Sequence, residues 1–333
     1  MKNRAWIAED SVKQQLVLAL AVFIINASFY LLLYDPHIQG YIDAERGWRQ
    51  FNELTSGEKL YWGPENQIEL RIYMILFTLL EIVILLAAGF IERRSLVTYL
   101  CLPVFAYLAT KLKIEFMFFP LALISLNLSW RKEAIALAAI LFFSVYLGEN
   151  NGFIILFFRV LVRIFRKFPP PLYVFLILLA LPIIADANIH VLEGFFPELR
   201  AYRYTRDIQN LNYSVLESFL VFFASATVGV NAYIDYPIGI LGTSFVLWLA
   251  FGKKLFFKRY WWEWAHSPGF QSWILTILVF TSLTHAFQDA RYYAFYVPAF
   301  THIGGERVNQ VLIFSSIPMT FALTIFYILF SDM

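Results

Sequence analysis

Charge is scarce in this chain. Asp, Glu, Lys and Arg make up only 15% of its 333 residues, whereas hydrophobic residues make up 60%. A soluble domain carries roughly 25% charged residues, which it needs to cover its surface with polar groups. The shortage of charge therefore excludes an ordinary water-soluble domain and indicates an integral membrane protein.

Cysteine and recognisable metal motifs are also nearly absent. The one cysteine, Cys101, lies in an apolar stretch, so neither an intramolecular disulfide nor a cysteine-based metal site is available. We expect it to be a small buried residue. No DxD or HExxH sequence occurs, and we therefore expect a protein that acts without a metal or another cofactor.

Long charge-free runs recur along the chain. The first, from Leu16 to Leu33, is long enough as a helix to cross most of a bilayer core. We predict an all-α, polytopic helical bundle that forms one transmembrane domain over residues 1–333, with about ten spans. The spans are placed at 14–34, 70–91, 96–110, 114–129, 133–148, 152–165, 171–187, 236–251, 271–288 and 310–330.

The distribution of basic residues sets the predicted orientation. Lys and Arg collect near the N-terminus and at 93–94, 131–132, 163–167 and 253–259. The positive-inside rule puts these clusters, and both termini, in the cytoplasm. The apolar stretch 214–235 must then re-enter the membrane or lie along its outer surface. The alternative is a full span there, which moves the last basic cluster outside.

The opposite face then carries the outer segments 35–69, 186–235 and 289–309, together with a short hairpin that contains Lys111 and Lys113. In the second segment Arg200, Arg203 and Arg206 recur every three residues. Ammonium and guanidinium groups bind phosphoryl oxygens, so both groups are candidate sites for a lipid-linked phosphate. The alternatives are lysines that reach back to headgroups and a basic helix resting on anionic lipid.

His285 and Asp289 lie four residues apart at the outer end of the span 271–288, and they share a helix face if the helix continues that far. A histidine oriented by a carboxylate is a candidate general acid or base. The alternative is a hydrogen-bonding cluster at a helix end. Inside the spans, we expect Glu81 and Arg159 to line a cavity, or to pair with one another or with backbone.

The layout resembles that of the Wzy/EpsG-type bacterial polysaccharide (O-antigen or exopolysaccharide) polymerases, which are GT-C-like membrane glycosyltransferases. The resemblance rests on Lys111-Leu-Lys113 followed by Phe119-Pro120-Leu121, on the arginines of 200–206, and on Arg291-Tyr292-Tyr293 with Pro298. It implies a protein of the bacterial inner membrane that joins undecaprenyl-diphosphate-linked oligosaccharides at the outer face. The implied partners are that substrate, membrane lipid, and chain-length regulator or export proteins, but not nucleic acid.

The resemblance also implies roles for individual residues. Lys111, Lys113, the arginines of 200–206 and Arg291 would hold the diphosphate and stabilise its charge as it leaves. GT-C enzymes carry an acidic catalytic residue soon after the first span, where Asp35 and Asp43 lie; with His285 and Asp289 they are the candidate proton acceptors. Ordinary loop polarity is the alternative for the two aspartates. A GT-C transferase with a polyprenyl-phosphate donor, a transporter of lipid-linked sugars or solutes, and a structural subunit remain alternatives.

Overall fold

The computed structural model describes residues 2–32, 67–110, 115–147, 151–188, 258–284 and 296–330, and the positions 191, 194–195, 248 and 252. Over these residues the regular structure is helical, apart from an isolated bridge between Ile91 and Ile124, which confirms the all-α prediction. The helices are α1 (Lys2–Leu32), α2 (Gln67–Ala87), α3 (Arg93–Cys101), α4 (Pro103–Thr110), α5 (Glu115–Ala122), α6 (Trp130–Leu147), α7 (Asn151–Lys167), α8 (Leu172–Ala187), α9 (Lys258–Ala265), α10 (Pro268–Thr284) and α11 (Tyr296–Phe330).

Two predicted spans are not single helices. The stretch 96–110 is divided between α3 and α4, because Leu102 is extended and Pro103 cannot donate a hydrogen bond into the preceding turn. The stretch 114–129 is helical only in α5, and residues 123–129 form turns. Ser125 and Asn127 favour such turns because their side chains compete with the helical backbone for hydrogen bonds.

The C-terminal helix begins earlier than predicted. Residues from Tyr296 onwards belong to α11, so the interpretation of 289–309 as a loop is wrong for that part. Val297, Thr301 and Val308 are buried, which explains why this stretch is ordered as a helix. The short helix α9 was not predicted either, since its basic and aromatic residues indicated only a cytoplasmic cluster.

The outer helices expose apolar side chains. Leu80 and Val83 on α2 are 58% and 61% exposed, and Val145 on α6 is 67% exposed. Judged by length and composition, one described helix, with the stretch Val12–Phe29, is able to cross a membrane; Ile72–Ala87 and Leu172–Ala185 are apolar but shorter. The apolar exterior therefore extends over more helices than the one that meets the length criterion.

The centre of the bundle is a broken segment made of α3, α4, α5 and the turn that follows to Leu126. We call this the central segment. Ser95 to Cys101 are all buried, and so are Val104, Phe105, Phe118 and Phe119. α1 packs against α3 and α4, α11 against α3, and α2 against α5. Three short helices of nine, eight and eight residues thus lie inside, and longer helices pack around them.

One end of the bundle gathers the connections that are rich in basic residues. α2 ends there at Ala87, and Gly89, whose φ is +69°, follows in a C-cap in which the Phe90 N–H donates to the Leu85 carbonyl at 2.8 Å. Lys132 at the start of α6 donates to the Ala88 carbonyl at 2.7 Å. Residues 88–94, 123–133 and 159–167 therefore form one surface, which we call the basic end.

Several helices run between the basic end and the opposite end, which we call the far end. α6 and α7 are antiparallel, because Ser144 faces Gly152 while Glu133 meets Arg159. α8 begins beside the end of α7, where Phe165, Phe175 and Leu275 form a cluster. Phe280 of α10 then contacts Phe157, further from the basic end. Thus α8 and α10 both end at the far end.

α1 and α11 run in the same direction where they pack. Asn26 donates to the Ser316 hydroxyl at 2.7 Å, and Phe29 meets Phe321 edge-on with ring centroids 5.8 Å apart. The residue numbers in these contacts increase together along the two helices, so the helices are parallel. The predicted cytoplasmic location of both termini requires these two helices to be antiparallel if both cross the membrane, and their packing is parallel instead.

Candidate functional site

The structure leaves the predicted site residues untested, because each lies outside the described residues. They are Asp35, Asp43, Lys111, Lys113, Arg200, Arg203, Arg206, His285, Asp289 and Arg291. The same holds for the re-entrant stretch 214–235 and, apart from position 248, for the span 236–251. What the structure does describe is the ends of the helices that lead into these segments.

Three helix ends at the far end lead into predicted outer segments. α4 ends at Thr110, directly before Lys111, and the helix that follows it, α5, places a ring carbon of Phe118 3.3 Å from the Cβ position of Gly152 at the far end of α7. α8 and its capping residue end at Asn188, at the start of the arginine-containing segment 186–235. α10 ends at Thr284, directly before His285. Three groups of candidate residues thus follow helices that leave the bundle on one side.

At the basic end, three arginines of α7 form a ladder. Arg159, Arg163 and Arg166 are spaced so that they share one face of the helix. Each donates to a backbone carbonyl of the turn after α5: Arg159 to Ile124 at 2.8 Å and to Ser125 at 2.9 Å, Arg163 to Leu128 at 3.2 Å, and Arg166 to Leu126. The ladder therefore satisfies carbonyls that have no helical partner.

Glu133 neutralises the inner rung of this arginine ladder. Nε of Arg159 donates to Oε1 of Glu133 at 2.7 Å, and one Nη donates to Oε2 at 2.6 Å. Both side chains are almost fully buried, and Arg163 lies 3.5 Å from the same carboxylate. Such a bidentate geometry with further hydrogen bonds is what a buried ion pair requires to offset its desolvation. Arg159 is thus committed to the fold, and it pairs with Glu133 rather than with Glu81.

A second polar group joins the central segment to α11. Thr98 contacts the amide oxygen of Asn309, and its hydroxyl lies 2.8 Å from that of Thr301. The Asn309 amide donates to the Arg94 carbonyl at 3.0 Å. All three side chains are buried. Hydrogen bonds between small polar residues are a common means of joining helices in an apolar environment.

Within the described residues, no group of three or more His, Cys, Asp or Glu side chains is arranged to hold a metal ion. The turn near Glu92 illustrates how the carboxylates present are used, since Glu92 accepts a hydrogen bond from the Ser125 hydroxyl. The acidic side chains at the basic end therefore serve the packing of the turns.

Sequence reasoning missed the role of Glu133 and of Asn309. Arg163 and Arg166 were interpreted only as cytoplasmic charge. The spacing of the arginines along α7 was the available signal, because three like charges on one face of an otherwise apolar helix require acceptors nearby. Nothing in the sequence indicated that those acceptors would be carbonyls of residues 124–128, since these were predicted to be helical or at a helix end.

The chain was compared with known proteins by sequence and by structure. No family model, no curated protein and no solved structure matches it. The resemblance to the polysaccharide polymerases therefore stays a prediction that rests on the residues quoted above.

Proposed function

We propose that this chain is a polytopic membrane protein whose outer helices face lipid. The support is the distribution of polarity. Apolar side chains are exposed on α1, α2, α6, α7 and α8, while Asn26, Thr98 and Asn309 are buried between helices. A soluble protein rarely exposes apolar patches of more than a few hundred Å², and buried small polar residues are typical of helix contacts in membranes.

The basic end then faces the cytoplasm of a bacterium and the far end faces outward. The support is the collection of Arg93, Arg131, Lys132 and Lys167 at one end of the bundle, in agreement with the positive-inside rule. Helices that end at the far end precede the predicted phosphate-binding residues Lys111, Lys113 and the arginines of 200–206, and also His285. Membrane lipid and proteins of chain-length control or export are the proposed partners.

The proposed activity is the polymerisation of undecaprenyl-diphosphate-linked oligosaccharides. A hydroxyl oxygen of the acceptor sugar attacks the anomeric carbon of the donor, whose bond to the diphosphate oxygen breaks. Asp35, Asp43, His285 or Asp289 takes the hydroxyl proton. Lys111, Lys113 and the arginines at 200, 203, 206 and 291 stabilise the departing undecaprenyl diphosphate. The observation that carries this proposal is that helix ends Thr110, Asn188 and Thr284 share the far end.

The test is polymer length in cells that carry the chain as their source of polymerase. Arg203→Ala and Arg291→Ala should each reduce long polymer by at least tenfold, and the double variant Lys111→Ala with Lys113→Ala should do the same. Arg131→Ala is the control, because it removes an exposed basic residue at the basic end and should leave polymer unchanged. Normal polymer from the variants at 203 and 291 contradicts the proposal.

A transporter of lipid-linked sugars is the second candidate. The observation that favours it is the break between α3 and α4 inside the bundle, since broken helices at depth often line substrate sites in transporters. Purified protein in vesicles discriminates the two functions. An enzyme joins lipid-linked units supplied on its outer face, whereas a transporter moves them between leaflets without joining them.

A further inference from the structure

A groove runs along one side of the contact between α6 and α7, whose facing sides are marked by the buried ion pair of Glu133 and Arg159. With about 100° of rotation per residue, Trp130 lies about 60° from the first of these residues around α6. Lys167 lies about 80° from the second around α7, in the same sense when each helix is viewed from its own N-terminus. Because the helices are antiparallel, both residues border the same side of the contact. Trp130 is 74% exposed and Lys167 is exposed as well, so this side is open at the basic end.

Away from the basic end the groove continues as an apolar surface. Leu141 and Val145 lie on its α6 side, and Phe153 and Val160 lie on its α7 side, rotated by about 80–120° from the facing sides of the two helices. All four side chains are exposed. The stretch of α7 from Phe153 to Lys167 is about 20 Å long, whereas one leaflet contributes roughly 15 Å of hydrocarbon. An acyl chain of one leaflet therefore fits along the groove.

The end of the groove carries an excess of positive charge. Glu133 accepts both of its short hydrogen bonds from Arg159 and lies 3.5 Å from Arg163. Arg163 donates one N–H group to a backbone carbonyl, and its side chain is 40% exposed. A guanidinium has five N–H donors, so Arg163 retains donors for a further acceptor. Lys167 lies one turn along the same side of α7, with its ammonium 5.2 Å from the ring centroid of Phe168.

The combination of charge, aromatic ring and apolar groove matches the chemistry of an anionic phospholipid. Phosphate oxygens accept hydrogen bonds from guanidinium and ammonium groups. An exposed tryptophan such as Trp130 is typical of the level of the headgroups. Basic pockets between transmembrane helices on the cytoplasmic side bind anionic headgroups in this way. A free phosphate ion would satisfy the charges but would leave the apolar groove uncovered.

We propose that the groove between α6 and α7 binds one anionic phospholipid of the cytoplasmic leaflet, whose phosphate lies on Arg163 and Lys167. Its acyl chain covers Leu141 and Val160, and its headgroup lies beside the indole of Trp130. Because the lipid contacts both helices, it stabilises the hairpin that they form. This inference rests on the membrane location proposed above and is independent of glycosyl transfer and of transport.

The test is thermal unfolding of the purified full-length protein in detergent micelles with added dioleoylphosphatidylglycerol, dioleoylphosphatidylcholine or inorganic phosphate. Phosphatidylglycerol should raise the melting temperature to a plateau, because it binds the folded protein. Phosphatidylcholine has the same chains without net charge, and inorganic phosphate has charge without chains. Each should need at least a tenfold higher concentration for the same rise. Equal half-saturating concentrations of the two lipids overturn the proposal, and so does an equal rise with inorganic phosphate.

Two variants with the same change of charge separate a specific site from diffuse attraction to the basic end. Lys167→Gln alters an exposed residue of the groove and should raise the half-saturating concentration of phosphatidylglycerol about fivefold. Arg131→Gln is the matched control, because Arg131 lies about 160° from Glu133 around α6 and faces away from the groove. It should leave that concentration unchanged. Equal increases in the two variants, or no increase in Lys167→Gln, overturn the proposal.

The fractionation of the cells from which the protein is purified keeps this inference separate from the proposed membrane location. A protein that is recovered from the membrane fraction, and that shows no preference for phosphatidylglycerol, overturns the lipid site alone. A protein that is recovered from the soluble fraction without detergent overturns the membrane location and the lipid site together.

Discussion

The central segment and the outer helices are both apolar, yet they meet the demands of the backbone in opposite ways. α2 and α6 are continuous helices that expose about half of their side chains and, away from their ends, satisfy their own carbonyls. The central segment is interrupted twice, and side chains from α7 and α11 reach in to its backbone. The difference indicates that helix continuity is required where the backbone approaches lipid, and that it is dispensable where protein surrounds it.

Removing Arg159, the inner rung of the arginine ladder, should have the largest effect on stability, because the central segment depends on it. Arg159→Met removes both hydrogen bonds that the buried Glu133 accepts and leaves it only the 3.5 Å contact with Arg163. It also frees the carbonyls of Ile124 and Ser125. Loss of one partner of a buried ion pair typically costs about 3–5 kcal/mol. We expect a decrease of that order in the free energy of unfolding, measured in detergent micelles. Arg131→Met, on the exposed face of α6, is the control.

A double variant separates the cost of the unpaired charge from the cost of the unsatisfied carbonyls. Arg159→Met combined with Glu133→Leu removes both charges, so the uncompensated carboxylate is gone and part of the stability should return. The carbonyls after α5 remain unsatisfied, so recovery should be incomplete. Arg159→Met with wild-type stability contradicts the claim that the ladder holds the turn.

A charge on an outer helix should have the next largest effect. Leu80 on α2 is exposed, and Leu80→Asp costs about 2.5–3.5 kcal/mol if it faces hydrocarbon. If the same position faced water, the substitution would cost almost no free energy. The measurement is the amount of folded, membrane-inserted protein relative to Leu80→Ala, which removes the same apolar contacts without adding charge. Equal amounts from the two variants contradict a lipid-facing α2.

The hairpin of α6 and α7 should show a smaller effect. A Cβ on Gly152 would lie 1.5 Å from Oγ and 2.6 Å from Cβ of Ser144, so Gly152→Ala forces the two helices apart. Overpacking of this kind typically costs about 1–3 kcal/mol. The unfolding midpoint should fall accordingly, and the second change Ser144→Gly should restore part of it. Gly194→Ala is the control, because nothing lies within 4 Å of that added carbon.

The helical class and most helix positions could be predicted from the sequence, because uninterrupted apolar runs of this length usually form helices. α6, α7 and α8 agree with the predicted spans to within three residues at each end. The interruptions were harder to predict. Pro103 marks one interruption. The other, the end of α5 at Ala122, leaves carbonyls that receive hydrogen bonds from Arg159 and Arg166, which lie far along the chain.

The candidate site could be predicted only as a set of residues in outer segments. Spacing indicates that Arg200, Arg203 and Arg206 share a face if they are helical. It does not indicate which of them approaches His285, since that depends on how the segments pack over the far end. By contrast, Glu133 and Asn309 became recognisable as structural residues only once their partners on other helices were known.

The most direct test of the account is the sidedness of the two bundle ends. The chain has one native cysteine, Cys101, which is fully buried and therefore silent to a membrane-impermeant maleimide. Lys167→Cys introduces a thiol at the basic end and Asn188→Cys introduces one at the far end, both at exposed positions. The account predicts that intact spheroplasts label only Asn188→Cys, and that Lys167→Cys reacts after permeabilisation. Labelling of Lys167→Cys alone in intact spheroplasts, or of both variants, would contradict it.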